Sequence, residues 1–117
     1  MLPLMLDACA ARRLTLQRLA WLLSARAAQL FNLPGKGAIA PGWDADLTLV
    51  DLGGEWTFDS SRSFSRAPHN MRAYEGRRLR GRVVSTLVRG TRVYHEGEIA
   101  GRPGYGRWVR PSSHQQW

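Results

Sequence analysis

The chain has 117 residues, of which 44% are hydrophobic and 22% charged, with a single cysteine and a net charge of +8. That balance suits one small domain with a core and excludes overall disorder, and one cysteine excludes an internal disulfide framework and suits a reducing compartment. The charge is lopsided: residues 59–117 hold twelve arginines against Asp59, Glu75, Glu96 and Glu98, whereas five basic and five acidic groups balance in residues 1–58.

Residues 2–11 read as a short helix that is apolar on nearly every side, a pattern that expects cover from other elements. They are not a secretory signal, because Asp7 interrupts the apolar run and the basic pair Arg12-Arg13 follows it. No run approaches the roughly 18 apolar residues of a membrane span, and a cytoplasmic location is expected. Thr15 fits an N-cap. Leu16, Leu19, Ala20, Leu23, Ala27, Leu30 and Phe31 then keep helical spacing, which predicts one buried stripe on one helix, or on two broken near Ser24. Asn32 suits a left-handed C-terminal residue, and Pro34 prevents continuation.

Residues 34–51 divide the chain. Pro34-Gly35 and Pro41-Gly42 predict two turns, with Asp44 and Asp46 accepting backbone N–H groups to hold the second. Leu47-Thr48-Leu49-Val50 reads as a strand closed by Gly53-Gly54, and Trp56-Thr57-Phe58 as a second. Residues 59–72 read as an extended polar loop. Residues 80–88 form the clearest strand, Arg89-Gly90 a turn, and Thr91-Arg92-Val93-Tyr94 the return strand. After a turn at residues 95–98, Ile99-Ala100 predicts a third short strand. A surface tail follows, anchored by Tyr105, Trp108 and Val109, with residues 112–117 mobile.

A search for chemistry yields no catalytic, cofactor-binding or metal-ligating set. His69, His95 and His114 form no HxH or HExxH pair, and there is no nucleophile elbow or phosphate-cradling loop. Cys9 lies in an apolar helix and reads as an inert thiol. Asp44 and Asp46 could pair as a metal or acid/base site, but turn carboxylates are common and no partners converge on them. The arginines are spread over strands and turns without a nucleic-acid motif or a stacking platform, so a phosphate-binding face is disfavoured against solvent-facing arginine.

The series of short motifs resembles the cyclic-amide hydrolases of the amidohydrolase superfamily, of dihydroorotase and allantoinase type. Leu2-Pro3-Leu4-Met5-Leu6, Leu14-Thr15-Leu16-Gln17-Arg18-Leu19 and Ala28-Gln29-Leu30-Phe31-Asn32-Leu33 are similar to the family's last barrel segment. Residues 36–47 are similar to its Lys-Gly-x-Ile-x-Pro-Gly-x-Asp-Ala-Asp-Leu element. Glu55-Trp56-Thr57, Tyr74-Glu75-Gly76, residues 79–83 and 86–90, and the tail at residues 104–111 are similar to its later strands and C-terminus. Ala27 departs from the family's usual proline, and Arg72-Ala73 from its usual Ser-Pro.

The resemblance implies an α+β chain: C-terminal helices of an incomplete TIM barrel in residues 1–33, then short antiparallel strands of an amidohydrolase-type small β-sandwich domain in residues 34–117. It implies that the full-length family uses zinc, held by barrel residues that match nothing in this chain. The expected function is that of a C-terminal fragment of a metal-dependent cyclic amidohydrolase, inactive alone, with dihydroorotase and allantoinase not separable. Its expected partner is the missing N-terminal barrel segment or a homologous subunit, in a homo-oligomer if full length. A stand-alone protein-interaction module and a basic nucleic-acid-binding domain are the alternatives.

Overall fold

A computed structural model describes residues 1–113, and its fold is α+β. Helix α1 (Leu2–Ala10) opens the chain, with Pro3 in its first turn, where a missing N–H costs nothing. It closes through Arg12 at φ 55°, with the Arg13 N–H donating 2.9 Å to the Ala8 carbonyl. Thr15 caps the next helix as expected, its Oγ1 accepting the Arg18 N–H at 3.2 Å.

Helix α2 (Leu16–Ala20), a π-helical turn (Trp21–Ala25) and α3 (Arg26–Leu30) run on as one rod, since every junction residue keeps right-handed helical dihedrals. Ser24 therefore sits inside a π turn and does not start a second helix. Asn32 (φ 50°) takes the left-handed conformation just past the end of the rod.

The strands form an antiparallel meander in the order β1 (Leu47–Thr57), β2 (Arg78–Val88), β3 (Thr91–His95), β4 (Glu98–Ile99). The two expected strands at residues 47–50 and 56–58 are one. Asp51 pairs with Arg82 and Glu55 with Arg80, and the three residues between bulge out of the ladder. Gly53-Gly54 thus makes a bulge and not a chain reversal, and the Asp51 carboxylate holds it by accepting the Gly53 N–H at 2.9 Å. Residues 59–72 are not extended either. They contain 3₁₀ turns at Ser60–Arg62 and Pro68–Tyr74, the first capped by Asp59, whose carboxylate accepts the Ser61 N–H at 2.9 Å. Arg89 (φ 46°) and Gly90 (φ 78°) form the expected two-residue hairpin turn.

The helical cover falls on β2. Alternation along the strand puts Leu79 and Gly81 on one face, where α1 lies with Leu6 against Gly81. On the opposite face Arg78 and Arg80 pair with Glu55, and Arg82 reaches Asp51 at 3.4 Å. Among the described residues these strands make a single sheet, so the second layer is helical and no second sheet of a sandwich is present.

The core is small for the length. Leu6, Leu19, Ala28 and Leu79 are the buried apolar side chains among the described residues. The expected buried stripe of the rod is mostly open: Leu19 is covered, but Leu30 and Phe31 are 63% and 65% exposed. The reason is geometric: α1 lies along β2, whereas the rod stands across a gap from β1. The radius of gyration is 15.7 Å, against about 13 Å for a compact chain of some 100 residues.

Candidate functional site

Three features concentrate either polar chemistry or open apolar surface. The first is a cluster on the connector between rod and sheet. The Lys36 ammonium lies 2.7 Å from Asp44 Oδ2 and also bonds Asp46 Oδ2. The other Asp46 oxygen accepts the Arg89 N–H at 2.8 Å, and the Ala45 carbonyl accepts the Gly90 N–H at 2.9 Å. The hydrogen bonds to Asp44 and Asp46 hold the Lys36 ammonium above its ordinary pKa of 10.5. Burial pushes the Asp46 carboxyl up, but the Lys36 and Arg89 donors outweigh it and the net shift is below the ordinary 3.8. Lys36 neutralises both carboxylates, both Asp46 oxygens are held, and no third ligating side chain among the described residues joins them, so the arrangement reads as structural. Asp46 does accept a backbone N–H, as the sequence suggests, but from a residue 43 positions on.

The second feature is a serine–histidine pair. Ser85 on β2 is buried, with its Oγ 2.7 Å from Nδ1 of its cross-strand neighbour His95. The spacing suits a nucleophile and its base. Ser85 as a residue is nevertheless only 4% exposed on a central strand, which leaves a substrate carbonyl no path to it. The pair satisfies a buried hydroxyl. His69 is exposed on the second 3₁₀ turn, Cys9 is half-buried on α1, and His114 lies outside the described residues. No three His, Cys, Asp or Glu side chains come together among the described residues, which therefore do not fit a zinc ion. No helix among them is long and apolar enough to cross a membrane.

The third feature is an open groove of about 1420 Å³ between the rod and β1. Its walls include Leu16, Leu23, Phe31, Val50, Leu52 and Trp108. The tail bridges the two elements. Tyr105 anchors it to the hairpin, its hydroxyl 2.9 Å from Thr91 Oγ1 and its ring under the Arg89 guanidinium at 4.5 Å. At the other end the Ser112 N–H donates 2.9 Å to the Asn32 carbonyl. Between them Trp108 is 85% exposed, so it is not the anchor that its size suggests. The expected mobility of residues 112–117 concerns mainly residues 114–117, outside the described part.

Several arginines of the basic half have partners. Arg77, Arg78, Arg80 and Arg82 face Asp7, Glu55 and Asp51, and Arg89 donates to the Tyr105 carbonyl at 2.6 Å. Those guanidinium groups brace strands and tail.

No family model matches the chain. It is 45% identical to the allantoinase of Rubrobacter xylanophilus over 112 residues, 95% of this chain and 24% of that protein. It is 35% identical to the dihydroorotase of Pyrococcus furiosus over 114 residues, 97% of this chain and 27% of the other. The L-hydantoinase (dihydropyrimidinase) of Arthrobacter aurescens superposes with a TM-score of 0.84 at 36% identity, over 93% of this chain and 24% of that one. The chain thus spans about a quarter of the length of the relatives it matches. By sequence and by fold, it belongs with the cyclic-amide hydrolases of allantoinase, dihydroorotase and hydantoinase type, as a counterpart of their C-terminal part.

Proposed function

We propose that the chain is the C-terminal part of a metal-dependent hydrolase that opens a ring amide, and that it is inactive alone. In this reading residues 1–33 are the closing helices of a barrel and residues 34–117 the later part of a small β domain. The metal and the groups that activate water lie in the rest of the protein or in a homologous subunit. The carrying observation is the superposition of 93% of this chain on 24% of the L-hydantoinase at a TM-score of 0.84.

The physical state of the chain supports the reading. Four buried apolar side chains among the described residues are few for a domain of this length, and large apolar side chains stand open along the rod and β1. A chain that packs against a larger body has this distribution. Among the matched relatives the allantoinases of Rubrobacter xylanophilus and Deinococcus radiodurans are 45% and 44% identical, against 35% for the Pyrococcus furiosus dihydroorotase. Allantoin is therefore the first substrate to test, before dihydroorotate and hydantoin.

The purified 117-residue chain with added zinc is expected to hydrolyse none of the three above the buffer rate. Zinc-dependent turnover that survives repurification would overturn the claim that catalysis lies elsewhere.

A further inference from the structure

The connector at residues 34–46 is fastened at both ends. Toward the rod, Gly37 lies flush on the π turn. A Cβ there would stand 2.7 Å from Ala28 Cβ and 3.0 Å from both Ala25 Cα and the Ser24 carbonyl oxygen. Toward the sheet, Asp46 and Ala45 take the Arg89 and Gly90 N–H groups at the hairpin turn. Lys36 sits between the two fastenings. Its ammonium, with the side chain only 17% exposed, holds Asp44 and Asp46 together. Without that cation two carboxylates two residues apart would repel, and the turn that presents Asp46 to the hairpin would lose its support.

We propose that Lys36 is the hub of an electrostatic bracket that sets the spacing between the helical rod and the sheet across the apolar groove. Beyond the connector the rod reaches the sheet indirectly, its first turns packing on α1, which lies along β2, while the tail adds one backbone bond at Asn32. The bracket is a conformational device of the fold, independent of catalysis. Lys36 acts through Asp44 and Asp46 as a positioning residue.

The groups that face Asp46 are Lys36 and Asp44 from the connector and Arg89 from the turn. Asp46 titrates below its ordinary 3.8, so its contribution is complete above that value and is lost as pH falls through the lower folded value. Lys36 titrates above its ordinary 10.5, so its contribution is complete below 10.5 and is lost as pH rises through the folded value. Between about 4 and 10 the bracket does not change.

Amide hydrogen exchange on the isotopically labelled 117-residue chain tests this at single residues. In Lys36→Met, protection is expected to fall at least about tenfold at Arg89 and Gly90 and, in step, at the amides of Ala25 and Ala28, while Leu79 in β2 keeps its protection. Lys36→Arg should stay within about threefold of the parent. Loss confined to Arg89 and Gly90, or no loss at all, would overturn the proposal. Should Lys36→Met not fold, acid titration of the parent chain gives the same reading. Rod and hairpin amides then lose protection together below the Asp46 transition while Leu79 holds, and a sheet that opens first contradicts the bracket.

Discussion

Gly81→Ala is expected to destabilise the chain by about 2–6 kcal/mol, a large share of the stability of a domain this size. Two independent effects add. Gly81 sits at φ 91°, where an L side chain is strained by roughly 1–3 kcal/mol. The new Cβ would also stand 2.9 Å from Leu6 Cβ, and because Leu6 is itself a buried residue of α1, the helix must move off β2. Overpacking of this kind costs a further 1–3 kcal/mol or so. Gly90→Asn is the control. Gly90 also has a positive φ, but nothing lies within 4 Å of its Cβ position and asparagine suits a hairpin turn, so less than about 1 kcal/mol is expected. Urea denaturation followed by far-ultraviolet circular dichroism measures both. Equal midpoints for the two variants would mean that α1 is not seated on β2.

Leu79→Ala is the second large effect, with an expected cost of about 2–5 kcal/mol. Leu79 is 2% exposed, pairs across the ladder with Trp56 and shares the face of Gly81 under α1. The cost reaches that range because the core has so few members: with Leu6, Leu19 and Ala28 as the other buried apolar side chains, no neighbouring layer can collapse into the cavity. Leu49→Ala, at a residue 48% exposed, should cost less than about 1 kcal/mol in the same denaturation series. A chain in which both substitutions cost the same would have its core elsewhere.

Local signals carried the elements that depend on neighbours in sequence. The Thr15 cap, the left-handed Asn32 and the Arg89-Gly90 turn follow from residue types within a few positions, and each stands where the sequence puts it, although the Arg89-Gly90 turn also gains bonds from Ala45 and Asp46. Features set by distant partners were harder to read. Gly53-Gly54 has the composition of a turn, yet it is a bulge because Arg80 and Arg82, some thirty residues on, pair with Glu55 and Asp51 on either side of it. The Asp59–Arg72 stretch looked extended because its serines are polar, but Asp59 caps a turn there and the Glu75 carboxylate accepts the Ser60 N–H at 3.0 Å.

The polar cluster was half legible. Asp44 and Asp46 stand out as turn carboxylates, but Lys36 comes eight residues before Asp44 and carries no turn signal of its own. The bend at residues 37–38 and the Pro41-Gly42 turn bring its ammonium back. The rod's stripe is a different case. Its helical spacing is sound, and its exposure reflects a surface that nothing in residues 1–113 covers.

The proposal that this chain supplies the C-terminal part of a cyclic-amide hydrolase can be tested by complementation. The most direct measurement uses the allantoinase of Rubrobacter xylanophilus shortened by the portion this chain matches, assayed for allantoin hydrolysis with zinc after co-expression with the 117-residue chain. A stable complex and hydrolysis well above that of the shortened enzyme alone are expected. The proposal would be contradicted if the enzyme's own C-terminal piece, supplied in trans, restored activity while this chain neither bound nor restored any.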